Sequence, residues 1–190
     1  MGLDMYLSAN LFVSGYNFSP EKEKQQYQNI LNAVNISPSH GSNCGAPSAT
    51  LEITVAYWRK ANHIHRWFVE NVQGGEDNCD RYSVSRDQLK ELLGLCEDVL
   101  SSVETVQGDV STGTAYHGDG EVEHLTTPGR VVAQKTIAEN KLPTAAGFFF
   151  GGTDYDEFYL RDTEETVKML KTILADKSLK NCYFKYQASW

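Results

Sequence analysis

The sequence lacks an apolar run approaching the roughly 18 residues that a membrane-spanning helix requires, and it has no basic region followed by an apolar stretch at its start. Neither a membrane span nor a signal peptide is therefore expected, and the expected location is cytoplasmic. Met1-Gly2 is followed at position six by Tyr6, where the myristoylation pattern asks for Ser or Thr. The cysteines Cys44, Cys79, Cys96 and Cys182 form no CxxC pair, which argues against a zinc ribbon or a dithiol redox motif. GxGxxG after the first strand, GxxxxGK[ST], GxSxG, HExxH and the kinase signatures are all missing, so neither a dinucleotide fold, a P-loop nor a standard hydrolase motif is supported. Basic residues are the scarcer charge, 17 against 25 acidic ones for a net −8. That balance disfavours general nucleic-acid binding, because phosphate contacts need a basic footprint.

What is present is enough for one core. A chain of 190 residues with 41% hydrophobic content is near the size at which a single domain is the default. Residues 2–13 alternate Leu3, Met5, Leu7 against Asp4, Tyr6, Ser8, the pattern of a half-buried strand. Ser19-Pro20-Glu21 opens a helix to about Asn35, with Tyr27, Ile30, Leu31 and Val34 inward. Residues 36–50 read as a loop and Leu51–Val55 as a short strand. Ser85 and Gln88 make a capping box ahead of an amphipathic helix with Leu89, Leu92, Leu93, Cys96 and Leu100 on one face.

Residues 101–128 are rich in Gly, Thr and Ser and contain a β-hairpin around Gly118-Asp119-Gly120. A short helix over 131–140 stops before Pro143, and Ala145–Phe150 reads as a buried strand. Asp162–Glu165 resembles a second capping pattern, with Val167, Leu170, Ile173 and Leu174 inward beyond it; residues 181–188 alternate as a closing strand. The expected fold is a single α+β domain over 1–190, a mostly antiparallel sheet covered by amphipathic helices, with 101–128 as a projecting hairpin insertion.

Two ring-rich segments hold the unusual chemistry. YWRKANHIHRWF (residues 57–68) reads as a helix whose core stripe is Tyr57, Ala61, Ile64, Phe68 and Val72 at about 100° per residue. Trp58, Asn62 and His65 then share one shoulder and Lys60 and Trp67 the other, while Arg59, His63, Arg66 and Glu70 point outward. His63 and His65 fall about 200° apart, which rules out a joint metal pair on that helix. Arg59, Lys60 and Arg66 come without an acid among them, and such a patch in an acidic chain suits a phosphate group.

GFFFGGTDYDEFYL (residues 147–160) runs three rings into Gly151-Gly152, a place where backbone can approach a ligand closely. Its amides could cradle a phosphate, Asp154, Asp156 and Glu157 could hold a hard metal, or these carboxylates could pair with Arg59, Lys60 and Arg66 and tie the segments together. His117, Asp119, Glu121 and His124 form a further cluster, read as a polar hairpin turn in preference to a metal site.

MGLDMYL, YWRKANHIHRWF, GFFFGGTDYDEFYL and the closing FKYQASW together resemble a widespread group of small, uncharacterised accessory proteins of bacteriophages and prophages. The likeness spans both ends and the middle, roughly half of the chain. It implies a viral accessory protein made in a bacterial host cytoplasm, where such proteins often counter defence by sequestering a nucleotide signal or binding a defence protein. No activity transfers residue by residue, and the kinase-type labels that some members carry find no motif here.

The resulting expectation is a non-catalytic binder of a phosphate-bearing, nucleotide-derived small molecule, with no cofactor, no catalytic residue and no metal ligand. Trp58, Trp67 or Tyr155 would stack on a base; Arg59, Lys60 and Arg66 would meet phosphates; Asn62 or His65 would read polar edges; and Gly151, Gly152, Thr153 and Asp154 would form the facing turn. The alternatives are a direct inhibitor of a host defence protein and a metal-dependent phosphodiesterase or nuclease using Asp154, Asp156 and Glu157. A homo-oligomer stays open, since binders of this kind often build sites at a dimer seam.

Overall fold

A computed structural model of the chain describes residues 2–37, 47–116, 118 and 121–190. The strands are β1 (Asp4–Ser14), β2 (Ser48–Arg59), β3 (Tyr82–Val84), β4 (Thr105–Tyr116), β5 (Val122–Val132) and β6 (Tyr183–Ser189). The helices are α1 (Glu21–Ala33), α2 (Asn62–Asn71), α3 (Arg86–Ser102), α4 (Thr136–Lys141) and α5 (Glu157–Ala175). β2, β1, β6 and β3 lie side by side, in that order and antiparallel, while β4 and β5 form a separate hairpin. The α+β fold with an antiparallel sheet is as expected.

One face of the sheet carries the core. Leu3, Met5 and Leu7 from the start of the chain meet Ile64 and Phe68 of α2, Leu89, Leu92 and Cys96 of α3, Leu160 and Leu170 of α5, and Phe184 and Tyr186 of β6 in one cluster. Phe68 lies flat on Tyr186, with centroids 3.8 Å apart and planes 8° from parallel. A fully buried ring such as Phe68 is worth roughly 3–5 kcal/mol against alanine. The Ser85 capping box is formed in full, with Gln88 N–H on the serine hydroxyl and Ser85 N–H on the glutamine side chain.

Several local expectations are corrected. Residues 57–59 continue β2 instead of opening a helix. Ala56 and Trp58 are buried while Tyr57 is 45% exposed, so the period there is two, and the β-branched and aromatic run from Ile53 favours a strand. The strand stops at Lys60, which has φ 60°, and α2 starts only at Asn62. Of the four residues expected inward on α1, only Tyr27 is buried. Ala145–Phe150 is not a strand: Phe150 N–H returns to Gly147 O at 3.2 Å, and a Cβ on Gly147 would stand 2.5 Å from the Phe150 ring. This turn separates Phe150 from the other two rings, leaving Phe148 95% exposed and edge-on to Phe149 while Phe150 is buried.

α5 begins at Glu157, ahead of the expected 162–165 start, because Asp156 caps it by accepting from Phe158 N–H and Tyr159 N–H. The hairpin is longer than expected, reaching from 105 to 132, although His117, Asp119 and Gly120 at its tip lie outside the described residues. So does 38–46, most of the expected loop, with Cys44 in it. The described cysteines are all free, and Cys96 is buried, which pushes its thiol up to about 12. Among the described residues no helix is long and apolar enough to cross a membrane.

Candidate functional site

The end of β2, the start of α2, the turn before α5 and the flank of the hairpin enclose a cavity of about 610 Å³. That lies within the range of about 300–1,000 Å³ usual for small-molecule sites. Arg59 and Lys60 supply one wall, Gly151, Gly152 and Asp154 another, and the first turns of α5 a third, through Phe158, Tyr159, Arg161 and Asp162. Ser111, Thr112 and Gly113 of β4 close it from the hairpin side, at the register shift that bends this strand.

Backbone and side-chain hydrogen bonds hold these walls in place. Leu3 takes an amide bond to Phe149 O at 3.1 Å and gives its carbonyl to Lys60 N–H at 2.8 Å, so the first strand clamps both motifs. Asn62 is buried and fully occupied in shaping the turn: Nδ2 donates to Phe150 O at 3.1 Å and Gly152 O at 2.7 Å, and Oδ1 accepts from Ala145 N–H at 3.1 Å. Val132 N–H bonds Tyr155 O at 2.9 Å, joining the hairpin base to the same turn. Arg130 of β5 then reaches α5, gripping Glu157 at 2.7 Å and Glu164 at 2.8 Å. This holds the Glu157 carboxyl down at about 2.

The expected partnership between the two ring-rich segments takes a different form. Glu157 belongs to Arg130, Asp156 caps α5, and Arg66 pairs with Glu70 at 2.7 Å within its own helix while Nη1 donates to Thr144 O. Among the described residues, neither Arg59 nor Lys60 has a carboxylate within 4 Å. Among the described residues the seam is thus not closed by salt bridges, and these two cations border the cavity without an ion-pair partner, although Asp154, Asp156 and Asp162 line the same space.

Of the residues expected to form the site, Arg59, Lys60, Asn62, Gly151, Gly152 and Asp154 come together on the cavity wall. The rings expected to stack do not. Trp58 is buried, with Nε1 donating to the Thr166 hydroxyl at 2.8 Å, and Trp67 is buried edge-on to Phe68. Tyr155 is buried with its hydroxyl accepting from Thr144 N–H, and exposed Thr153 gives its carbonyl to the Thr144 hydroxyl. His65 sits in the core between Tyr186 O–H at 2.8 Å and Asp77 at 3.0 Å, and Trp190 Nε1–H holds the other oxygen of Asp77.

His63, expected to face outward, is instead buried beneath α5. Its ring lies 4.4 Å from that of Tyr159 and its Nε2 3.1 Å from the Thr163 hydroxyl. Thr163 already donates to Tyr159 O, so its oxygen accepts and the histidine donates. Burial pulls the His63 pKa down to about 3 and keeps the ring neutral.

The chemistry that sequence reasoning missed lies on α5. Phe158 is 40% exposed, with the Arg161 guanidinium 5.1 Å from its ring centre. Asp162, one turn on, has a side chain only 16% exposed, and burial raises its carboxyl to about 6. The i, i+4 spacing of Phe158 and Asp162 was the available signal; it was masked because Asp162–Glu165 also fits a helix start. Among the described residues no group of three His, Cys, Asp or Glu is placed to hold a metal ion. Compared with protein-family models, curated proteins and solved structures, the chain matches none.

Proposed function

We propose that this protein is a non-catalytic binder of a phosphate-bearing, nucleotide-type small molecule, held in the cavity between the β2–α2 junction and the Gly151-Gly152 turn. The observation that carries this reading is the pair Arg59 and Lys60, two cations on a cavity wall with no carboxylate of the described chain within ion-pair distance. Two cations without ion-pair partners beside a glycine turn suit the anionic part of a guest, for which Arg supplies a fixed fork and Lys a mobile charge. Phe158 offers the ring face that the buried tryptophans cannot. In the phage setting implied by the sequence resemblance, the protein would sequester a nucleotide-derived defence signal.

Calorimetry with linear and cyclic nucleotides tests this. At least one should bind, and Arg59→Ala should weaken it about tenfold or more, whereas Arg66→Ala, whose charge is spent on Glu70, should change little. Uniformly null heats overturn the reading.

A second reading, direct inhibition of a host defence protein, draws on Phe148, 95% exposed at the tip of its loop. A pull-down from host lysate that recovers one stoichiometric partner with the native chain and loses it with Phe148→Ser would favour it. The phosphodiesterase reading receives no support from Glu157, both of whose oxygens grip Arg130, or from Asp156, whose Oδ1 caps α5.

A further inference from the structure

The cavity has two signs. Arg59 and Lys60 stand on one wall, while Asp162 on α5 and Asp154 on the turn bring carboxylates to the same space. A ligand that was only an anion would be repelled by the second wall, so a good guest must carry donors at one end and phosphate at the other. Of the three carboxylates that line it, Asp156 is committed to capping α5, and Asp162 is the better-built acceptor of the other two. Its side chain is 16% exposed, and its nearest cation, Arg161 Nη2, is 3.7 Å away, long for a hydrogen bond. Arg161 itself is half exposed and leans over Phe158.

Phe158 and Asp162 are four residues apart on α5 and both line the cavity. They therefore present a ring and a carboxylate from adjacent turns, an arrangement that accepts a flat heterocycle on the ring while the carboxylate meets its edge.

Resting on the phosphate-binding reading, we infer that the cavity selects a phosphorylated purine with two adjacent N–H donors, the N1–H and 2-amino edge of guanine, accepted by Asp162 with the base against Phe158. The charged and titratable groups around that carboxylate are Arg161 and Glu165 on its own helix, Asp156 at the helix cap, Asp154 on the turn, Arg59 and Lys60 at the end of β2, and neutral His63 on α2. The hairpin wall contributes only Ser111, Thr112 and Gly113. A paired donor edge requires the ionised carboxylate. Because burial holds Asp162 partly protonated near pH 6, capture of guanine there releases a proton.

The test is titration of the full chain with guanosine, inosine and adenosine monophosphates and with inorganic phosphate. Guanosine monophosphate should bind about ten- to a hundredfold tighter than the inosine and adenosine forms, the discrimination expected when one buried polar partner goes unmatched. Repeating the titration at pH 6 in two buffers of different ionisation heat should show proton release. Asp162→Asn, which removes a buried charge, should abolish both the preference and the proton release. Equal affinity for the three monophosphates, or a guanine preference that survives in Asp162→Asn, overturns the inference and leaves the phosphate-binding reading standing. If no phosphate-bearing probe binds, both fail together.

Discussion

Gly151 lies so close to Lys60 that a side chain there would crowd it. A Cβ at 151 would stand 3.3 Å from Lys60 Cβ and 3.6 Å from Lys60 O, and the backbone there has φ 87°. Both residues are in the left-handed region, Lys60 at φ 60°; glycine adopts it freely, whereas a residue with a side chain at 151 would not. Gly151→Ala adds a conformational penalty of about 1–3 kcal/mol and crowds the cation. Gly152, by contrast, would place its Cβ in open space, with no left-handed φ. Thermal unfolding should therefore drop for Gly151→Ala by several degrees, at roughly 2–4 °C per kcal/mol for a chain of this size, with Gly152→Ala near the native value. Equal melting temperatures for the two variants would contradict this account.

The hairpin is held to the body by a small set of contacts, and Arg130 is the chief polar one. It pairs with Glu157 and Glu164, each of the three side chains being a little over one-third exposed. Solvent screening keeps such pairs modest, so Arg130→Ala should cost only about 1 kcal/mol globally. Its local effect should be larger. Hydrogen exchange should show faster exchange for amides of 105–132 while those of β1, β2 and β6 keep their protection. Because Ser111, Thr112 and Gly113 close the cavity, ligand affinity should fall in the same variant although Arg130 does not line it. Unchanged hairpin exchange would show that the Val132–Tyr155 backbone bond suffices as the anchor.

How far the sequence could be read depended on how local the deciding interaction was. The Ser85 box was legible because its donors and acceptors lie within three residues of each other. The outline of the cavity was legible from charge alone, since Arg59 and Lys60 had no acidic neighbour in their segment and a glycine turn was available to face them. Trp58 was not legible: positions 57–68 satisfy a period of 3.6 as well as the strand pairing that governs 57–59, and only the partners Tyr6 and Met5 on β1 decide between them. His63 was misplaced for a related reason, because the face it occupies is outward only until α5 covers it. Phe158 and Asp162 were overlooked because the cap that starts their helix is Asp156, a residue also eligible as a metal ligand or a salt-bridge partner.

His63 and Asp162, both on the cavity wall, should leave opposed marks on the acid stability of the protein. His63 is depressed from 6.5 to about 3. Below pH 6.5 the unfolded chain takes up a proton that the folded one refuses, so stability falls as pH drops from about 6.5 to about 3, by on the order of 5 kcal/mol in total. Asp162 is raised from 3.8 to about 6. Its stabilising contribution is therefore present below pH 3.8 and is lost as pH rises through 6, leaving a burial cost of about 3 kcal/mol at neutral pH.

Between pH 6 and 4 the two contributions run against each other and flatten the profile. In Asp162→Asn the cost disappears, so denaturant unfolding at pH 7.5 should show a gain of about 1–3 kcal/mol. The same variant should lose stability more steeply than the native chain between pH 6 and 4, because His63 is then unopposed. A variant less stable than the native chain at pH 7.5 would mean that the ionised Asp162 carboxylate is satisfied within the fold, and that it is not held in reserve for a ligand.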